Sequence, residues 1–392
     1  MDVFDLDQVL VSDYERFARS FTQIRAEDIR QQIDAIYASR RFWPEPLLSI
    51  NPHYEHGASI DELVSNGSLS PETGRVFRID GKGIALYRHQ VQALSKAAAA
   101  QSFVVTTGTG SGKSLCFFIP IIEHAIRARA SGEKPRTKAI VVYPMNALAN
   151  SQMKELEKFL EQSGLPPNLR PTYARYTGQE SSEERDLIRA AKPDILLTNF
   201  MMLELLMTRQ SERDRAVIRS AVGLDFLVLD ELHTYRGRQG ADVAMLVRRV
   251  RDRLCREKQP ICIGTSATMS SEESDDERAT SVAVVASRLF GTTVSADAVI
   301  GESLERATDP TLNVARLGSA LGAALDADIP DVLSDEKLRQ HPLAVWIELR
   351  VGHNDGLRLE RLPPITIAEA AHRLSEDSGR PEDRCRARLQ AM

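Results

Sequence analysis

Residues 107–114 read Thr-Gly-Thr-Gly-Ser-Gly-Lys-Ser, set between an apolar run (Phe103–Thr107) and a helical stretch (Ser114–Ile126). Closely spaced glycines let a backbone close around an anion with no Cβ in the way. Amides at the start of a helix converge on one spot, where the helix dipole favours negative charge. Gly108, Gly110 and Gly112, with Thr107, Thr109 and Ser111 between them, are therefore the expected cradle for a nucleotide's phosphates. Lys113 would place a point charge on the β- and γ-phosphates, and the Ser114 hydroxyl would ligate Mg²⁺. The string departs from GxxxxGK[ST] at its first position, where Thr107 stands.

A second chemistry-bearing pair closes another apolar run, DFLVLD at 225–230 followed by Glu231. Asp230 at a strand end can hold Mg²⁺ through water. Glu231 beside it can orient and deprotonate an attacking water, the base that phosphoryl transfer to water requires. An isolated Asp-Glu pair also reads as a helix cap. Its position downstream of a phosphate loop, behind an apolar strand, favours the chemistry.

Loop and acid pair can meet only if a common frame delivers them. From about residue 84 to 290 short apolar runs alternate with helical stretches: FVVTT (103–107), AIVVYP (139–144), ARYTG (174–178), DILLTN (194–199), DFLVLD (225–230) and ICIGTSAT (261–268). Near-continuous apolarity suits strands buried on both faces, and the alternation predicts an α/β fold with a doubly wound parallel sheet. Ligands of such sheets sit at the strands' carboxyl ends. The expected organisation is a mainly helical N-terminal region (1–83), the sheet domain (84–295) and a mixed, mostly helical segment (296–392). SFTQIRAEDIRQQIDAIYAS, with Phe21, Ile24, Ile29, Ile33 and Ile36, reads as helix. SSEESDDERAT (270–280) reads as an acidic surface loop.

DELH at 230–233 and TSAT at 265–268, taken with the phosphate loop, resemble motifs II, III and I of superfamily 2 helicases of the DExH-box type. The resemblance implies a RecA-like P-loop domain with ATP and Mg²⁺ as its ligands, and places His233 at the nucleotide. Gln90 in LYRHQVQAL resembles the glutamine that reads the adenine edge. YPMNALANSQ looks like motif Ia, with Asn146 near the nucleic-acid backbone. TGQE resembles the Thr-Gly of motif Ib (Thr177, Gly178), and LTNFMMLE places Thr198 and Asn199 against the strand. Ser266 and Thr268 would link hydrolysis to the nucleic-acid side. A helix-surface glutamine and a hydroxyl-capped turn are the plainer readings of Gln90 and of TSAT; the order of the pieces and their strand-end positions favour the motif set.

DELHTYRGRQGADVAMLVRRVRDRLC puts Val243, Leu246, Val247, Val250 and Leu254 on one helical face and Arg236, Arg238, Arg248, Arg249, Arg251 and Arg253 on the others, with Arg256 and Lys258 following. The bland reading of these cations is a solvated face. With SFTQIR and WPEPLLSINPHYEHG, the stretch looks like large bacterial helicases of the YprA branch and of phage-defence systems. That likeness implies DNA as partner and 3′→5′ movement.

A net charge of −5 argues against a nucleic-acid binder working by bulk charge, so contact must come from a local patch. The four cysteines show no metal-ligand spacing. With no basic segment leading into an apolar core and no membrane-length apolar run, a reduced, cytoplasmic protein without membrane contact is expected. A helicase motor closes two RecA-like domains on ATP, the second supplying an arginine. No QRxGRxGR-like string occurs, the nearest being SGRPEDR (378–384). The expectation is the ATP-binding part of a DNA helicase, completed by a second RecA-like domain elsewhere. The alternative is a non-catalytic, ATP-gated nucleic-acid clamp. A P-loop kinase is disfavoured, since kinases need neither TSAT nor a motif Ia-like element.

Overall fold

A computed structural model describes residues 3–21, 23–39, 43, 45–51, 53–267, 275–327, 334–354, 356 and 359–391. The chain divides into two compact units, Tyr54–Ser303 and a second made of Met1–His53 with Leu304–Met392.

The first unit is built on a seven-stranded sheet. Its strands are β1 (Phe103–Thr106), β2 (Ala139–Tyr143), β3 (Tyr173–Tyr176), β4 (Ile195–Asn199), β5 (Phe226–Leu229), β6 (Ile261–Ser266) and β7 (Val299–Gly301). They lie in the order β7-β1-β6-β5-β2-β4-β3, every pair parallel. Every residue of β2, β5 and β6 is buried, which is why their runs are apolar without alternation. The helices are α1 (Arg88–Ala98), α2 (Leu115–Ala130), α3 (Asn146–Gln162), α4 (Ser182–Ala191), α5 (Phe200–Thr208), α6 (Glu212–Ser220), α7 (Gly237–Leu254) and α8 (Asp275–Phe290). The six runs read as strands coincide with β1 to β6. The seventh, β7, is three residues long and lies against β1 beyond the expected boundary at 295. The unit also takes in residues before 84, including His56–Ser59 paired antiparallel with Ala85–Tyr87.

Along α7, Val243, Leu246, Val247, Val250 and Leu254 are buried as their spacing predicts. Several of its arginines are committed to the fold. Arg248 donates to Arg288 O at 3.0 Å, Arg251 to Phe290 O at 2.7 Å and Arg253 to Met207 O at 2.7 Å, while Arg249 pairs with Glu204. The acidic stretch differs from expectation: its residues 275–280 open α8 rather than forming a loop. Acids in a first turn complement the helix dipole. Residues 270–274 lie outside the described residues.

In the second unit, Leu47–Leu48 pairs antiparallel with Ile365–Thr366. Trp346, Leu321, Leu374 and Cys385 share its core, and Trp346 Nε1 donates to Asp377 at 2.8 Å. The N-terminal stretch is two helices, Val3–Ser20 and Glu27–Ala38, instead of one running through Phe21 and Ile24. Ala26, extended at φ −75° and ψ 121°, makes the break, and Glu27 and Asp28 start the next helix. Among the described residues no helix is long and apolar enough to cross a membrane. The described cysteines, Cys116, Cys255, Cys262 and Cys385, are all buried and free.

Candidate nucleotide and nucleic-acid site

The phosphate loop leaves the carboxyl end of β1 and enters α2 at Leu115. Gly110 and Gly112 adopt φ of +80° and +71°, where a side chain is strained. A Cβ on Gly112 would also lie 2.6 Å from Gln90 Nε2. Thr107, the irregular position, closes the loop from inside, its buried hydroxyl sharing a 2.6 Å hydrogen bond with Ser111 Oγ. A glycine there could not. Lys113 Nζ folds over the loop and donates to Thr107 O at 3.0 Å and Gly108 O at 3.1 Å. Ser114 spends no hydroxyl on capping α2, and Thr109 is exposed at the rim.

Gln90 is placed differently from an adenine reader. It is 2% exposed and both ends of its amide are occupied. Oε1 accepts from Tyr87 N at 2.8 Å, and Nε2 donates to Gly112 O at 2.9 Å. In this structure Gln90 braces the phosphate loop, as does His89, whose Nε2 lies 2.9 Å from Ser111 O.

The acid pair sits two strands away, since β6 alone separates β5 from β1. Thr265 on β6 donates to Asp230 Oδ1, and the Glu231 amide donates to the same Thr265 oxygen at 3.1 Å. Glu231 stands at φ +53° and opens the short turn Leu232–Thr234. Burial raises the Asp230 carboxyl to about 6; Thr265 pulls it down, Glu231 pushes it up, and Lys113 pulls it down again. His233 Nδ1 lies 3.2 Å from Ser266 Oγ and 3.2 Å from Glu231 Oε2, so it bridges the acid pair to the TSAT strand. Ser266 is fully buried; Thr268 lies outside the described residues.

The residues assigned to nucleic acid gather at the ends of β2, β3 and β4. Asn199 Nδ2 donates to Asn146 Oδ1 at 2.6 Å and to Thr177 O at 3.1 Å, while its Oδ1 caps α5 through Met202 N at 2.7 Å. Glu180 fixes the turn by accepting from Thr177 N, Thr177 Oγ1 and Gly178 N at 2.8–2.9 Å. Thr198 is fully buried and donates to Tyr176 O at 2.7 Å, so its hydroxyl serves the sheet. Asn146 and Asn199 are half-buried and Gly178 is exposed.

The donor set fits a nucleoside triphosphate with a hard cation. A glycine loop carries one lysine, a hydroxyl is free of capping duty, and a buried carboxyl needs a counter-charge. Glu231 Oε2 adds a buried carboxylate oxygen, met at 3.2 Å by His233 Nδ1. Mg²⁺ prefers oxygen ligands and keeps most of its waters, which suits Ser114 and Asp230. Sequence reasoning missed Thr265, although it is the first residue of TSAT and ends an apolar strand. It also missed Glu302, whose Oε2 accepts from Gly108 N at 3.3 Å and which no motif marks.

Comparison with known proteins agrees with this geometry. The sequence profile described as DEAD/DEAH box helicase matches residues 87–276. The uncharacterized ATP-dependent helicase YprA of Bacillus subtilis strain 168 is 31% identical, over 50% of this chain and 24% of its own length. Druantia protein DruE of Escherichia coli strain UMEA 4076-1 is 27% identical, over 59% of this chain and 18% of its own. The chain thus spans about a quarter or less of these relatives' length. Among solved structures, the DEAD-box helicase Mss116 bound to ssRNA and UDP-BeF aligns with a TM-score of 0.50 at 18% identity, covering 63% of this chain and 45% of that one, a likeness of fold.

Proposed function

We propose, from the premise that residues 87–276 are a DEAD/DEAH-box helicase domain resembling the YprA branch, that this chain is the ATP-binding part of a DNA helicase or translocase. Its full turnover would need a second RecA-like domain. The observation that carries the reading is the convergence of Lys113 and the Asp230–Glu231 pair at the carboxyl ends of β1 and β5. They are near enough for the Lys113 charge to act on the Asp230 carboxyl.

Each group has a task. The loop amides of 108–114 and Lys113 hold the phosphates, and Ser114 and Asp230 hold the cation. When bound, Mg²⁺ supplies charge neutralisation on the phosphate oxygens. Glu231 takes the proton of the attacking water on its carboxylate. His233 links Glu231 to Ser266, a route by which the state of the acid pair reaches β6. Asn146, Gly178 and Asn199 offer a polar edge to a nucleic-acid backbone.

Among the described residues the only sheet of more than two strands is this one. In the reading we favour, the arginine that stabilises the transferred charge comes from elsewhere, and its absence typically costs ~10³–10⁵ in rate. DruE is a Druantia protein, and a role in phage defence is one setting we propose; DNA repair is another.

The test is binding of a fluorescent ATP analogue by the chain, then DNA-stimulated ATP hydrolysis when the chain is joined to its completing domain. We expect Lys113→Ala to weaken binding ~10–100-fold, as for the loss of a charged hydrogen bond, and Glu231→Gln to keep binding and abolish turnover. If both Lys113→Ala and Glu231→Gln leave the DNA-dependent turnover of the joined protein unchanged, the enzymatic reading fails and the chain acts as an ATP-gated clamp instead.

A further inference from the structure

The carboxyl ends of β2, β5 and β6 form one row. Val142 pairs with Leu229 and Leu229 with Gly264, so the next residues, Tyr143, Asp230 and Thr265, stand side by side. The Asp230 amide continues the ladder, donating to Val142 O at 2.9 Å. Neighbours in register share a face of the sheet. On one flank, Thr265 is bonded to Asp230. On the other, Tyr143 is fully buried and its hydroxyl has no hydrogen-bond partner.

A second phenol repeats the situation. Tyr235 follows the Leu232–Thr234 turn, is 4% exposed and also carries an unpartnered hydroxyl. Burial pushes both phenols upward. The negative charge of Asp230 adds to the effect at Tyr143, and Asp230 and Glu231 together add to it at Tyr235. Two buried donors without acceptors thus lie within electrostatic reach of these carboxylates. Leaving such groups unmade is costly, and buried polar groups beyond direct reach of one another are satisfied by water.

We propose that Tyr143 and Tyr235 are positioning residues whose hydroxyls hold the water layer beside Asp230 and Glu231 that receives a hydrated divalent cation. Mg²⁺ sheds its waters reluctantly and is held through one or two carboxylates with several waters retained. Groups that fix those waters therefore set cation affinity without touching the ion. This rests on the reading of residues 107–114 and 230–231 as a Mg-ATP site.

The experiment uses the whole chain with Tyr143→Phe, Tyr235→Phe and the double variant. A fluorescent ATP analogue is titrated with Mg²⁺ and, separately, with EDTA present. Each single variant should raise the Mg²⁺ half-saturation about fivefold, the loss of one hydrogen bond, with affinity in EDTA unchanged. Thermal unfolding supplies a second readout. Phenylalanine at a dry, orphaned hydroxyl would stabilise the fold, whereas loss of a water-bonded hydroxyl leaves Tm equal or lower. Mg²⁺ titrations of all three variants that superimpose on wild type, with raised Tm, overturn the proposal. A wild-type chain whose nucleotide binding ignores Mg²⁺ overturns the Mg-ATP reading itself, and this proposal with it.

Discussion

Thr265 straps the two acids together: its hydroxyl donates to Asp230 Oδ1 while its oxygen accepts from the Glu231 amide at 3.1 Å. One side chain on the adjacent strand thus fixes the Asp230 carboxylate and the Glu231 backbone together.

Thr265→Val keeps the shape and removes both bonds. Asp230, already at about 6 through burial, loses the hydroxyl that lowers it and moves further up. Since the cation needs the carboxylate, Mg²⁺-dependent nucleotide binding in the wild type should fade as pH falls through about 6. In the variant the midpoint should shift upward, and affinity at pH 7 should drop ~10-fold, as for one charge-assisted hydrogen bond. Fluorescence titrations across this pH range decide it; coincident midpoints refute the account.

Among the described residues Lys113 donates to carbonyls of its own loop. Lys113→Ala should therefore weaken nucleotide binding ~10–100-fold, the worth of a charged hydrogen bond, and leave Tm nearly unchanged. A large fall in Tm would mean that the lysine is a structural strut.

Gly112→Ala meets two obstacles: a φ of +71° and Gln90 Nε2 at 2.6 Å from the added Cβ. Combining it with Gln90→Ala removes the clash and not the backbone strain, which stays at ~1–2 kcal/mol. Nucleotide affinity and Tm of the double variant should recover only in part relative to Gly112→Ala alone. Full recovery would show that the left-handed conformation is dispensable.

At the amino ends of the strands, Asp194 pairs with Lys138 at 3.0 Å, both side chains 2% exposed, and accepts from Thr172 N at 2.8 Å. Asp194→Ala would strand a buried lysine and should cost ~3–5 kcal/mol in urea unfolding. Nucleotide affinity of the folded fraction should hold, because the phosphate loop lies at the opposite ends of the strands.

Asp225 shows the acid limb of stability. Burial alone would raise its carboxyl, but His124 and Arg136 outweigh this and hold it at about 2. Its folded value lies below the unfolded one, so its contribution is full above about pH 4 and is lost as pH falls towards 2. Asp225→Asn should flatten that limb, as measured by Tm against pH. An acid limb identical to wild type would place the sensitivity elsewhere.

β1, β2, β4, β5 and β6 could be read from the chain because a parallel strand buried on both faces is apolar along nearly its whole length; β3, a partly buried edge strand carrying Arg175, shows that pattern only weakly. β7 could not be read, since three residues carry no period. The phosphate loop and the acid pair were legible because each is a local device, with its chemistry packed into neighbouring residues. The motif resemblance places Gln90 at the nucleotide; the fold takes both ends of its amide, one for the Tyr87 backbone and one for Gly112. Helical spacing puts the arginines of α7 on the faces away from the core, and the fold makes Arg248, Arg251 and Arg253 staples on backbone carbonyls.

Sequence alone determined the alternation of strand and helix, the glycine loop and the placing of chemistry at strand ends. These follow from periodicity and backbone sterics, which act over a few residues. Only the tertiary structure decided that Tyr143, Asp230 and Thr265 stand in one row, and that Asn146, Thr177 and Asn199 meet. Such neighbourhoods depend on the order and register of strands far apart in the chain, and nothing local to any one strand encodes them.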